Sequence, residues 1–355
     1  MPMILRSLFI VLLSLSAGMG TPQAKRLNLV HGETTITSIR FMPDGNAFVS
    51  ASFNGTVIMW NASSGKRVWS LDLDAGSETK VASTISHIVD MDVSSDGATI
   101  AVSYNQSTVK DNTLQPGQVN LVALIDPKNG QVTRTLSGHT FLMGGVAFSS
   151  DGKSLVSVSG DQTARWWSVN TGREIRQIKL KAQGGTSRFS PDGKYLVIAT
   201  APIWGNPPQS IVGLYDSQSG MLVREFPREY SQVTGITFSP DGKYLLIGGF
   251  NMPNVTTKLW NLHSPNSQRS KPILTNVKRV LGNYAYSPNG KLLAYGEVQR
   301  GRPVVSVTDW LTGKSVGTYE LDAKPASLVF SPTGAQLAIG TQEGQIIVLP
   351  IPFHR

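Results

Sequence analysis

Short apolar runs separated by polar turns fill the chain from Arg26 onward. Seven of the turns are copies of one another: FMPDG ending at Gly45, VSSDG at Gly97, FSSDG at Gly152, FSPDG at Gly193, FSPDG at Gly242, YSPNG at Gly290 and FSPTG at Gly334. Successive glycines lie 52, 55, 41, 49, 48 and 44 residues apart, and a period in the forties marks repeats of one supersecondary unit. In these turns proline presets φ, aspartate or asparagine bonds its own backbone, and glycine accepts φ > 0. Runs such as VTGITF (Val233 to Phe238) before a turn and YLVIAT (Tyr195 to Thr200) after one therefore predict β-hairpins.

A third run usually ends in a large aromatic, at Trp60, Trp167, Tyr215, Trp260 or Trp310. A second turn follows, SSGK, NTGR, QSGM or LTGK, and then a fourth strand such as EIRQIKL (Glu174 to Leu180). Seven repeats of four strands predict an all-β fold, a seven-bladed β-propeller of four-stranded antiparallel blades. Approximate blade boundaries are 31–72, 73–137, 138–180, 181–226, 227–274, 275–320 and 321–350. After FSPTG the last repeat supplies only Gln336 to Thr341 and Gln345 to Pro350, one strand short, while RLNLV (Arg26 to Val30) precedes the first repeat without a blade of its own. We expect this N-terminal strand to close the last blade, whose edge would otherwise be an association hazard.

At this level of detail the chain resembles the WD-repeat (WD40) family over essentially everything after its first segment. The third repeat is nearest the family pattern, with Gly138–His139, FSSDGKSLVSVSGDQTARWWS from Phe148 to Ser168, and NTGR. Elsewhere the pattern drifts: Asn61 and Asn261 follow the aromatic where the family often has aspartate, and His31 precedes Gly32 rather than following it. The resemblance implies that His139, Ser159, Asp161 and Trp167 form a structural hydrogen-bond network, although the first three also have the chemistry of a hydrolase triad. It implies a protein-interaction role and names no partner.

Composition fits a globular β-protein: 40% hydrophobic and 15% charged residues, with 35 glycines and 20 prolines for tight turns. Residues 1–24 read differently. Arg6 precedes the apolar run Leu8 to Ala17, followed by small residues at Gly18 and Gly20, the layout of a secretory signal. The run is short for a membrane span; an uncleaved N-terminal anchor is the alternative to a cleaved signal. The absence of cysteine removes disulfides, thiol metal ligands and a lipid-anchor site. A periplasmic or secreted location is expected, and the chain is expected to be a monomer without an integral membrane span.

The formal charge is +9. Lysines and arginines recur at turn positions (Lys153, Lys194, Lys243, Lys314, Arg173), so solvated turns account for much of it, and attraction to an anionic surface is the functional reading. No nucleic-acid motif is present and no nucleic-acid partner is expected. The five histidines form neither HExxH nor HxH, and there is no P-loop, dinucleotide fingerprint or GxSxG elbow. No catalytic, cofactor or metal site is therefore assigned.

The long insertions all follow a second strand: Tyr104 to Gln118, Ala201 to Gln209, Phe250 to Asn254 and Glu297 to Pro303. In an up-and-down blade these connections share one face, which becomes the expected binding face. Its candidate contact residues are Trp204, Arg300, Arg302, Tyr104, Phe250 and Met252, because aromatic and guanidinium groups on preorganised loops dominate interface energies. The function expected is an exported, non-enzymatic interaction platform for one or more proteins of the cell envelope. The alternative is a propeller enzyme, or a binder of small ligands or polyanions, with a site in the central channel.

Overall fold

The computed structural model describes residues 26–74, 83–110, 113–114, 119–200, 209–251, 254–263, 271–272 and 280–351. These residues form seven antiparallel sheets of four main strands, in the order of a propeller. Blade 1 runs Ile36–Phe41, Ala47–Ser52, Thr56–Asn61 and Arg67–Asp72, from the axis outward. Blade 3 repeats it with Met143–Phe148, Ser154–Ser159, Thr163–Ser168 and Glu174–Lys179. Blades 2, 4, 5 and 6 begin with inner strands Ser83–Val93, Gly184–Phe189, Gln232–Phe238 and Val280–Tyr286. In blade 7 the strands Pro325–Phe330, Gln336–Thr341 and Gln345–Pro350 are joined by Leu27–Val30, which pairs antiparallel with the last of them, Leu27 opposite Val348.

The core is a ring of seven layers, each between neighbouring blades. One joins Val49, Val57 and Met59 of blade 1 to Ile88, Met91 and Val102 of blade 2. Another joins Ile39, Phe48 and Trp60 of blade 1 to Ala338, Ile346 and Val348 of blade 7, closing the circle. A blade packed on both sides must be apolar on both faces, so second strands such as Leu155, Val156 and Val158 read as continuous runs rather than as an alternation. Outer strands have a neighbour on one side only, and Arg67–Asp72 alternates accordingly between exposed and partly buried.

The repeated turns form as their residues dictate. All seven glycines, from Gly45 to Gly334, have φ between 67° and 73°. Side-chain oxygens of Asp44, Asp96, Asp151, Asp192, Asp241 and Asn289 each accept the backbone N–H two residues on, at 2.9–3.1 Å.

The expected insertions differ from loops. In blade 2 the second strand continues through Tyr104 to Lys110, paired with the inner strand and with Val119–Ile125. In blades 5 and 6 the strands run on to Asn251 and Gln299 before turning, so Phe250 and Glu297 lie in ladders. The polar residues Asn105, Gln106 and Ser107 show no apolar period, yet added cross-strand backbone bonds extend the sheet there. At the tip of blade 6, Arg300 (φ 49°) and Gly301 (φ 80°) make a two-residue hairpin turn with both φ positive.

Candidate functional site

Turns after the second and fourth strands share one face, and that face carries an arc of exposed apolar side chains. Val30 is 72% exposed, Phe53 48%, Phe141 47% and Leu142 49%. Phe53 stacks on the His87 ring with centroids 4.4 Å apart. The arc runs from the closing strand through blades 1, 2 and 3. Other exposed apolar side chains lie on outer strands, as Val68 and Ile175, or in the turns before them, as Met221 and Leu311.

The expected contact residues fall out unequally. Phe250 is exposed on this face at the blade 5 hairpin. Arg300 lies at the blade 6 tip, and Arg302 beside it holds Glu320 at 2.9 Å, both side chains largely in solvent. Tyr104 corrects the sequence reading: it is 6% exposed and packs in the layer between blades 1 and 2, because its segment is a paired strand. Trp204 and Met252 lie outside the described residues. The sequence reading missed Phe53, His87, Phe141 and Leu142. A signal was present, since Phe53 stands in a short turn where blade 3 has Gly160.

The blade 3 network exists with a different serine. His139 Nε2 meets Ser157 Oγ at 2.8 Å, and Trp167 Nε1 donates to the same oxygen at 2.8 Å. His139 Nδ1 meets Asp161 Oδ2 at 2.9 Å. Ser159 instead donates to the Phe141 carbonyl at 2.8 Å and accepts the Asp161 N–H. It pins the connection bearing Phe141 and is no part of the histidine relay. Burial depresses the His139 pKa, a pull that Asp161 opposes only in part. Burial also disfavours the Asp161 carboxylate, but donors from Thr163, His139 and the Thr140 N–H outweigh it and hold its pKa low. His139 and Ser157 are both buried, with every polar atom committed inward, which suits a brace rather than a nucleophile.

A second relay lies in blade 1, where sequence drift had hidden it. His31 Nδ1 meets Ser50 Oγ at 2.7 Å, and Trp60 Nε1 donates to that oxygen at 2.8 Å. In blade 5 Tyr230 fills the equivalent place, its hydroxyl donating to the Ile247 carbonyl at 3.1 Å.

This geometry agrees with what known proteins show. The family model "WD domain, G-beta repeat" matches residues 25–61, 130–168 and 220–252. The chain is a WD40-repeat propeller. It is 28% identical over 179 residues to an uncharacterised WD repeat-containing protein of Synechocystis, covering 50% of this chain and 44% of that one. It is 24% identical to a periodic tryptophan protein 2 homolog of Dictyostelium discoideum, over 88% of this chain and 39% of the relative. The small ribosomal subunit protein RACK1 of Caenorhabditis elegans is 37% identical over 73 residues, 20% of this chain and 22% of its own. The chain thus spans less than half the length of these curated relatives. WD-repeat propellers of this kind imply, in general, a protein-interaction scaffold.

The WD40 propeller's central channel holds a cavity of about 540 Å³. Among the described residues four charges line it, and they bind one another. Arg188 Nη1 meets Asp90 Oδ2 at 2.8 Å, and Arg40 meets Asp92 at 3.2 Å and Asp90 at 3.7 Å. Burial disfavours the Asp90 carboxylate, and the Arg188 and Arg40 charges more than reverse this, lowering its pKa. Asp92 also accepts the Phe148 N–H at 2.9 Å. The quartet joins blades 1, 2 and 4 across the backbone of blade 3. The inner strands of blades 3 and 4 approach closely there because Gly144 and Gly145 have no Cβ; one at Gly144 would sit 2.4 Å from the Gly185 carbonyl oxygen. Among the described residues no group of three or more His, Asp or Glu is placed to hold a metal ion, and no helix is long and apolar enough to cross a membrane.

Proposed function

We propose that this protein is a non-enzymatic interaction platform that docks a partner protein on the face bearing Phe53, His87, Phe141 and Leu142. The exposed apolar arc is the observation that carries the reading. Isolated exposed apolar residues need no explanation, whereas a run of them on one rim of a well-packed ring favours association. Phe53 is already stacked and the Phe141 connection is already pinned by Ser159, so little entropy is lost on docking. Phe250, Arg300 and Arg302 extend the face, with Trp204 and Met252 on the same side in the sequence reading. The mutually paired charges of the channel favour a structural over a catalytic role there. The leader-like residues 1–24 support export, and a protein of the cell envelope is the partner we infer.

The test is affinity capture from the native envelope with matched variants. Phe53→Asp with Phe141→Asp should lose the captured partner while melting within about 2 °C of the parent, as surface changes cost about 0.5 kcal/mol. Lys153→Glu with Lys194→Glu and Lys243→Glu, on the opposite face, should retain it. If the lysine variant loses the partner and the phenylalanine variant keeps it, the docking face is the basic one. Fractionation checks export separately, since a platform confined to the cytoplasm would refute the leader reading alone.

A further inference from the structure

The turn face looks uniformly charged until the charges are paired off. In blades 4 and 5 the lysine after the repeated turn has a carboxylate beside it: Lys194 Nζ is 3.7 Å from Asp192 Oδ2, and Lys243 Nζ is 3.7 Å from Asp241 Oδ2. Blade 6 keeps the turn and drops the charge. Asn289 accepts the Lys291 N–H at 3.1 Å and the Ser287 hydroxyl at 2.7 Å, so its amide does the backbone work of the aspartate and leaves the Lys291 ammonium uncompensated. Blade 7 has Thr333 at that position, again neutral.

The next turn of blade 6 brings a second cation, Lys314. Asp309 lies nearby, but its Oδ1 is occupied by the Leu311 and Thr312 N–H groups and the Thr312 hydroxyl. Those bonds hold its pKa low and its charge at the turn. Among the described residues neither lysine has a carboxylate oxygen within 4.0 Å. The two turns are also fixed to each other, since Trp310 Nε1 donates to the Gly290 carbonyl. Between them and blade 7 lies a cavity of about 370 Å³ lined by both lysines and Asp309, with Leu292, Val316 and Ile351 among its other walls. Ile351 is buried and Leu292 and Val316 half-buried, so the cavity has an apolar floor under a cationic rim.

We propose that this cleft binds a small amphiphilic anion. Lys291 and Lys314 hold one carboxylate, sulfonate or phosphate group, and the apolar body lies on Leu292, Val316 and Ile351. Two ammonium groups and one committed carboxylate leave a net positive site, and the floor selects an anion with an apolar body over a fully hydrated one. The site is independent of the docking face, which lies at the other end of the ring.

Calorimetric titration of the full chain tests this with four probes: decanoate, decyl phosphate, decanol and inorganic phosphate. Decanoate or decyl phosphate should bind saturably at one site, and whichever is tighter identifies the headgroup class. Decanol and inorganic phosphate should each bind at least about tenfold more weakly, lacking one half of the ligand. Asn289→Asp is the decisive variant, because it installs the carboxylate that five other blades carry in the same turn and leaves the fold alone. It should weaken binding about tenfold, as should Lys291→Gln, by removing roughly one charge-assisted contact. Lys243→Gln in blade 5 should leave affinity unchanged. No saturable binding of either amphiphile, or undiminished binding to Asn289→Asp of unchanged melting temperature, overturns the proposal.

Discussion

Blade 3 and blade 1 brace themselves with the same tryptophan and serine but present the histidine differently. In both, the indole N–H donates to the serine oxygen at 2.8 Å. In blade 3 the relay continues: Ser157 meets Nε2 of His139, and Nδ1 meets the Asp161 carboxylate. In blade 1 Ser50 meets Nδ1 of His31, and Nε2 is buried with no hydrogen-bond partner. Asn54 stands where Asp161 would be, and its Oδ1 takes the Ser52 hydroxyl. The tryptophan–serine bond therefore does not depend on the carboxylate. The carboxylate governs whether the histidine is fully satisfied, and in blade 3 it opposes the lowering of the His139 pKa by burial.

The largest effect expected tests the shared half. Trp167→Ala and Trp60→Ala should each cost about 3–5 kcal/mol in urea unfolding, since both indoles are core aromatics. A much smaller loss for Trp60 would show that the blade 1 relay is incidental to packing. The histidines should then separate the blades. His139→Ala removes one hydrogen bond from each of Asp161 and Ser157 inside a buried network and should cost about 1–3 kcal/mol. His31→Ala removes a ring that already holds one orphan nitrogen, and should cost less. Equal costs would mean that the carboxylate adds nothing to blade 3.

The last comparison is in pH dependence. Burial, reinforced by the Arg67 charge and resisted by the Thr56 carbonyl, takes the His31 pKa down to about 4, against about 6.5 unfolded. Between those values the unfolded chain binds the proton and the folded chain does not, so stability falls as pH drops from about 6.5 toward 4. His139 is shifted in the same direction and contributes to the same slope. His31→Gln should flatten the melting temperature measured across this window. An unchanged slope would place the titration elsewhere.

The repeated turn made the blades legible, because each of its residues has one conformational task and the seven copies state the period. The relay was half legible. Ser157 and Ser159 point to the same side of one strand, and only the register, with Leu155 opposite Trp167, brings the indole to Ser157. His31 was obscured because its order with glycine is inverted, although like His139 it follows the outer strand of the preceding blade. Tyr104 was misread because its polar neighbours extend a sheet without an apolar period. The channel quartet could not be read at all, since Asp90 and Arg188 are 98 residues apart and meet only through the ring geometry.

The closing strand has a kinetic consequence. Thr35, just after it, donates to the Gln342 carbonyl, a contact spanning 307 residues. Six blades can pair and pack from local hairpins as they emerge during synthesis, but the interface between blades 7 and 1 forms only after nearly the whole chain exists. Until then Leu27 and Leu29 have no Ile346 or Val348 to cover, and the free faces of blade 1 and of the newest blade stay exposed. Non-local closure of this kind is the entropically costliest step of assembly, so the ring should close last and its open faces should stay uncovered until it does.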